Sequence, residues 1–249
     1  MTSTHITLPS FATRGEGVEH FFGTRRSSLQ VTPGRSSQPP TDRRNRTATA
    51  VISVKQVHGT DVLVVNRPVR QDEAFEGEWD AVATDQPGVM VTVRTADCVP
   101  VLLHDPTRRV VAAIHAGWRG AVAGIVPKTM ALLTTRFGAK AEGLRMAIGP
   151  SAGPCCYEVG EPVLARLREA FSDWETVVQP VGRSKAYLNL RDLIRRQAMA
   201  EGLPVRHVTT VNACTICHPD LFYSYRREGV VNATMVSGIV LMPGQRRAM

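Results

Sequence analysis

CVPVLLHDPTRRVVAAIH, residues 98–115, is two apolar runs about a polar turn. The runs 98–103 and 109–115 are dominated by β-branched and small apolar residues, the composition of buried strands. Between them DPTR (105–108) sets Pro in the second place of a turn, where its fixed φ is favoured. The segment reads as an antiparallel hairpin. If His104 faces Arg109, the ladder continues to a pair between Cys98 and His115. Directly opposed residues share a face, with Cβ atoms roughly 4.5–5.5 Å apart. That spacing suits two ligands of one metal, or a thiolate–imidazolium pair.

Similar runs lie on either side. VISVKQV (51–57) and DVLVVN (61–66) are separated by His58-Gly59-Thr60, a hairpin signal, and VMVTVR (89–94) reads as a further strand. A helix is predicted over 121–137, where Pro127 should kink it or mark a new start. LRMAI (144–148) predicts a strand running into the Gly- and Pro-containing turn 149–154. Helices follow over 161–171 and 190–201, and strands over 205–211 and in the apolar run after 230. No repeat and no linker divides the chain, so the expectation is a single α/β (α+β) domain over 1–249 with a mixed sheet. Residues 27–47, rich in Ser, Pro and Arg without an apolar period, predict a mobile surface loop.

At 249 residues, 43% hydrophobic and 21% charged, the chain has ordinary globular composition, which excludes global disorder. Aromatics are only 6%, which argues against a stacking surface and against a nucleic-acid partner. No run of about 18 apolar residues is present, so no membrane span is expected. The start MTSTHITLPSF lacks the pattern of a secretory leader, and a cytoplasmic address is expected. The net charge of +8 favours an anionic partner: phosphate, a nucleotide-like small molecule or nucleic acid. Arg25, Arg26, Arg35, Arg43, Arg44 and Arg46 cluster early, and Arg246 and Arg247 late. The five cysteines, 98, 155, 156, 214 and 217, are an odd number, which predicts reduced thiols rather than a disulfide framework.

A third ligand beside Cys98 and His115 is best supplied by His58, in a tight turn beside Gly59. One Cys and two His leave a fourth position open, the arrangement of a catalytic rather than a structural zinc site. AGWRG (116–120) crosses from strand to helix through two glycines, exposing amides to an anion, with Arg119 as a planar charged fork. In SYRRE (224–228), Arg226 is a candidate for a bound phosphate. Asp97 is a candidate proton carrier, although alternation turns it away from Cys98. Cys214-Thr-Ile-Cys217-His218 has the spacing of haem attachment, a chemistry that generally needs export. A structural or redox-active pair, or two ordinary thiols, is expected instead. The adjacent Cys155 and Cys156 read as two free thiols.

QVHG (56–59), TADC (95–98), HAGWRG (115–120), IGPSAGPCCYEVG (148–160) and FYSYRRE (222–228) occur in order across nearly the whole chain. Together they strongly resemble the YfiH-like laccase-domain family, also called the polyphenol oxidase family. The resemblance implies a single-domain α/β sandwich with zinc held by His58, Cys98 and His115. It implies a purine nucleoside enzyme: phosphorolysis of adenosine, inosine, guanosine and methylthioadenosine, with adenosine deamination as a second activity. Nucleoside and phosphate would then be the small-molecule partners of a monomer or small homo-oligomer. Arg25, in FFGTRRSS (21–28), matches the Arg of the family's F-x-T-R segment, which implies contact with substrate or phosphate. The family's following Gly-Gly-Val-Ser, Asn-Leu-Gly and Gly-Asp motifs give way here to the basic loop 27–47. Two other enzyme readings stand beside this one. A copper polyphenol oxidase needs several coppers and closely spaced imidazoles, and the seven histidines include no His-x-His. A cysteine hydrolase, as in peptidoglycan precursor editing, would use Cys98 as nucleophile and His115 as base. A pure binding module is the non-enzyme alternative.

Overall fold

β-Branched runs build most of the molecule, whose computed structural model describes residues 4–12, 17–38 and 48–243. Among them the strands, in chain order, are β1 (His5–Ile6), β2 (Val18–Gly23), β3 (Arg35–Ser37), β4 (Ala50–Ser53), β5 (Val62–Val65), β6 (Ala81–Thr84), β7 (Val89–Thr95), β8 (Val99–Asp105), β9 (Val110–Ala116), β10 (Arg145–Ile148), β11 (Glu158–Gly160), β12 (Val178–Pro180), β13 (Lys185–Leu188), β14 (Val208–Thr210) and β15 (Met235–Leu241). The helices are α1 (Trp118–Val122), α2 (Ile125–Phe137), α3 (Glu161–Ala170), α4 (Leu190–Ala200) and α5 (Tyr225–Glu228).

One six-stranded sheet has the order β1-β2-β15-β7-β4-β3, the other β14-β10-β8-β9-β6-β5, and β11-β13-β12 form a small third sheet. Both large sheets are mixed. β4 runs parallel to β7, β5 to β6 and β10 to β14, and the remaining pairs are antiparallel. The fold is therefore α/β (α+β) with mixed sheets. The large sheets pack face to face through Phe22, Ile52, Val91 and Ile239 on one side and Leu102, Val111, Ala113 and Ala147 on the other. The far face of the second sheet, with Val101, Ile114 and Met146, is covered by Ile125, Met130 and Leu133 of α2 and by Leu193 and Ile194 of α4. β8 and β9 are thus buried on both faces, which is why their sequences are continuously apolar instead of alternating. Each Leu or Ile buried there contributes roughly 1.5–3 kcal/mol, so this pair anchors the sandwich.

The hairpin forms, but two residues out of the expected register. His104 faces Val111, and His115 faces Pro100 rather than Cys98. The turn explains the slip. The Asp105 carboxylate accepts from the amides of Thr107 and Arg108, at 2.8 and 2.9 Å, while Arg109 takes a left-handed φ of 51°. Asp105 therefore stays in the ladder opposite Val110, and the loop becomes 106–109. A two-residue slip leaves every side chain on its original face, because side chains alternate with a period of two.

The hairpin expected about His58 does not form. β4 belongs to the first large sheet and β5 to the second, so 54–61 is a crossing between sheets. The helix expected over 121–137 is two helices, α1 and α2, parted at Gly124 in a left-handed conformation, and Pro127 lies in the first turn of α2. Of the loop 27–47, the structure describes 27–38. There Arg35–Ser37 pair with the β4 edge, and Leu29 and Val31 cover Phe21, Val51 and Met90 on the outer face of the first sheet. The rest of that loop, with Arg43, Arg44 and Arg46, and the late Arg246 and Arg247, lie outside the described residues.

Candidate metal centre and its pocket

Asp80 stands immediately before β6 and is fully buried. β6 pairs with β9, and the amide of His115 donates to the Asp80 carbonyl at 2.7 Å. Strand pairing therefore sets the Asp80 side chain beside the His115 ring, where Oδ1 meets Nδ1 at 2.7 Å. The same carboxylate accepts from the amides of Val57, His58 and Gly59, at 3.2, 2.9 and 2.6 Å. One buried carboxylate thus folds the 57–59 turn and orients the second histidine. His58 pays for that turn with a left-handed φ of 65°.

Cys98 enters from the bend between β7 and β8, with Sγ 3.6 Å from His58 Nε2. The His58 and His115 rings meet edge to face, their centroids 4.8 Å apart. One donor atom each from His58, Cys98 and His115 lies within 4.8 Å of the others. With Nδ1 engaged by Asp80, Nε2 is the His115 atom left to a metal, the usual support for a ligating imidazole. Space is kept by Gly117, where a Cβ would stand 2.6 Å from His58 Cδ2 and 3.1 Å from Cys98 Sγ. A Cβ at Gly120 would meet the Gly59 carbonyl oxygen at 2.6 Å. The glycines of AGWRG thus serve close approach, Gly117 as the residue before α1 and Gly120 within that five-residue helix. The donor set fits a thiolate- and imidazole-binding metal ion.

Burial opposes ionisation of the Cys98 thiol, but its hydrogen bonds to His115 and His58 outweigh this and bring it down to about 6. Burial likewise opposes a charge on His115, and hydrogen bonds to Asp80 and Cys98 prevail, raising it to about 9. For Asp80, too, burial favours the neutral acid, and His115 with the turn amides holds the carboxyl below its ordinary range. Without a metal, the centre holds a thiolate beside an imidazolium.

The three donors line a pocket of about 490 Å³, within the range of small-molecule sites. Arg94, Arg119 and Arg226 bring positive charge to its walls, and Trp118, Tyr157 and Tyr225 bring flat apolar surface. Arg119 lies over the Trp118 ring and Arg226 over the Tyr157 ring, 4.5 and 5.3 Å from the centroids. Arg226 also donates to the Glu158 carbonyl at 2.8 Å. Arg25 does not line this pocket: it lies over Tyr223, 4.8 Å from the centroid, and donates to the Pro219 carbonyl. Tyr223 borders a neighbouring hollow of about 280 Å³ that shares Arg94 and Thr234 with the main pocket. Both Asp97 oxygens are engaged, one by the Thr215 hydroxyl at 2.5 Å, the other by the Ser224 hydroxyl and the Arg226 amide at 3.0 and 2.7 Å. Asp97 is a clasp between the β7–β8 bend and α5, which argues against its carrying protons.

Asp80, Arg94, Gln56 and Tyr157 escaped the sequence reading. Gln56 and Arg94 form a two-bond clasp, the amide side chain donating to the Arg94 carbonyl and accepting from its N–H, both at 2.8 Å. Arg94 Nε is buried with no partner among the described residues. Two signals were available: an Asp directly before the apolar run AVAT (81–84), and an Arg ending the apolar run 89–94.

The profile of the family described as "Multi-copper polyphenol oxidoreductase laccase" matches residues 40–242. A Bacteroides thetaiotaomicron protein named purine nucleoside phosphorylase is 32% identical, over 90% of this chain and 92% of its own length. Adenosine deaminase RL5, from an unknown prokaryotic organism, is 34% identical, over 76% of this chain and 74% of its own. The crystal structure of YlmD from Geobacillus stearothermophilus superposes with a TM-score of 0.78 at 27% identity, over 95% of this chain and 94% of that one. The chain belongs to this laccase-domain enzyme family.

Proposed function

We propose, on the premise of that family membership, that the chain is a purine nucleoside phosphorylase with adenosine deaminase as a second activity. Its substrates would be adenosine, inosine, guanosine and methylthioadenosine, with phosphate as co-substrate. One observation carries the reading: three donors, two of them positioned by one buried carboxylate, meet in a cation-walled pocket of small-molecule size. Zinc suits the set best, since it takes thiolate and imidazole together and keeps a fourth position open at catalytic sites. When bound, zinc supplies Lewis-acid polarisation to the substrate atom that meets it.

The chain's own residues do the rest. His58, Cys98 and His115 hold the ion, and Asp80 fixes the His115 ring and its tautomer. Arg119 and Arg226 offer planar forks to phosphate. Tyr157 and Tyr225 give a purine ring apolar faces. Arg25, packed on Tyr223 at the border of the neighbouring hollow, would meet only a substrate that extends past Arg94 and Thr234. In phosphorolysis a phosphate oxygen bonds to the anomeric carbon as the glycosidic C–N bond breaks, and the base leaves with its electron pair and gains a proton. In deamination the oxygen of water bonds to the purine carbon that carries the exocyclic amine, the C–N bond there breaks, and the nitrogen leaves as ammonia with a proton from the water. A cytoplasmic location accords with five free thiols.

Adenosine offered with phosphate should give adenine and ribose 1-phosphate, and without phosphate inosine and ammonia. Cys98→Ala should abolish metal binding at this pocket and both reactions, and turnover that survives this change overturns the proposal. The low-lying Cys98 thiol beside His115 favours a second reading, a metal-independent cysteine hydrolase. On that reading metal-stripped protein stays active and is inactivated by alkylation at Cys98. The copper oxidase reading gains nothing from the geometry, because among the described residues only His58 and His115 of the seven histidines join a metal-capable group.

A further inference from the structure

The four cysteines that the nucleoside chemistry leaves unused come together. The turn after β10 carries Cys155 and Cys156, and the segment after β14 carries Cys214 and Cys217. An isolated bridge between Ser151 and Cys214 pins these segments side by side, with the Ser151 amide donating to Ala213 and the Thr215 amide to Ser151. Cys217 Sγ then lies 3.5 Å from Cys155 Sγ and 3.3 Å from Cys156 Sγ. All four sulfurs are within 4.8 Å of one another.

We infer that Cys155, Cys156, Cys214 and Cys217 form a second, closed metal centre: a tetrathiolate site for one zinc ion. Zinc–sulfur bonds of about 2.3 Å in a tetrahedron hold sulfurs about 3.8 Å apart, close to the spacing these atoms already have. The surroundings suit thiolates. The Gly153 amide donates to Cys214 Sγ at 3.3 Å, and the Ile216 and Cys217 amides help to stabilise that sulfur as a thiolate, the pattern of a Cys-x-x-Cys knuckle. Four thiolates on one divalent ion carry two net negative charges, and Arg191 stands beside them: a Cβ at Gly153 would be 2.9 Å from its guanidinium, 3.1 Å from Cys214 Cβ and 3.4 Å from Cys155 Sγ. Cys155 and Cys217 are exposed, so the ion has a route in, and the thiol protons leave to water as it binds. The centre would hold the wall of the main pocket. Tyr157 follows Cys156, and Thr215, between the knuckle cysteines, donates to Asp97 beside Cys98.

Metal analysis of protein purified reduced and zinc-replete tests this, and the result does not depend on the nucleoside reading. The parent chain should carry about two zinc ions. Cys98→Ala should keep about one, and Cys214→Ser with Cys217→Ser should lose that one and keep the other. If the double variant fails to fold, cobalt(II) loading of the Cys98→Ala protein decides. The intense sulfur-to-cobalt charge-transfer and tetrahedral ligand-field bands of a tetrathiolate should appear, and the four thiols should resist alkylation in native protein. A Cys98→Ala protein that takes up neither zinc nor cobalt overturns the inference, as do four thiols that alkylate freely or are isolated as disulfides.

Discussion

The His58–Cys98–His115 cluster lines a pocket and mixes one sulfur with two imidazoles, whereas the four-cysteine cluster, with Cys155 and Cys217 exposed and Cys214 buried, offers sulfur alone. The first is braced by a buried carboxylate, the second by backbone amides and a guanidinium. Three donors leave an ion a vacant position for substrate, while four close its shell, so the first arrangement is suited to turnover and the second to holding structure. The difference teaches that donor count and bracing, more than the presence of cysteine, set what a thiol-bearing site can do.

The largest effect that would test this contrast is on turnover. Cys98→Ala should bring purine nucleoside conversion below about 1% of the parent rate. Cys217→Ser should lower the melting temperature and the metal content instead, and equal losses of turnover from the two changes would break the comparison. Next comes the brace. Asp80→Asn keeps the shape but loses the charge facing His115 and the 57–59 amides. It should weaken metal binding at the pocket, and with it kcat/KM, by about 10–100-fold, while the tetrathiolate's cobalt spectrum is unchanged. Arg226→Ala should raise KM for phosphate about 10-fold with metal content intact, the loss of one charge-assisted contact.

The smallest effect is on the stability of metal-free protein with pH. Cys98 is held down to about 6, so its thiolate stabilises the fold above the ordinary thiol range, and this contribution is lost as pH falls through about 6. His115 is raised to about 9, so its contribution is complete below the ordinary imidazole range and is lost as pH rises through about 9. Between about 6 and 9 the two contributions change in opposite senses and nearly cancel, so metal-free protein should melt almost independently of pH there, whereas Cys98→Ala should leave only the His115 contribution and a melting temperature that falls as pH rises above the ordinary imidazole range.

Local features of the fold were legible in the sequence, and non-local pairings were not. The apolar runs of β8 and β9 announce themselves because they are buried on both faces. Their register was missed by two residues because it depends on the Asp105 carboxylate capturing two turn amides. His58-Gly59-Thr60 looks like a hairpin because a tight turn has the same chemistry whether its strands pair together or part into different sheets. Cys98 and His115 still meet, although not as a ladder pair, because a two-residue slip preserves the face. Asp80 was invisible, since an Asp before a strand ordinarily lies in solvent and only pairing with β9 buries it. Cys155-Cys156 and Cys214/Cys217 each looked ordinary because their union depends on segments far apart in the chain.

Two of the three donors in the pocket sit on chain crossings. His58 lies between β4 and β5, Cys98 between β7 and β8, and each crossing passes from the first large sheet to the second, which supplies His115. The centre is thus a gauge of how the two halves of the sandwich are aligned. A small shear between them would separate the donors well before water reached the core. On mild heating or in dilute denaturant, catalysis should fade while circular dichroism still reports intact strands.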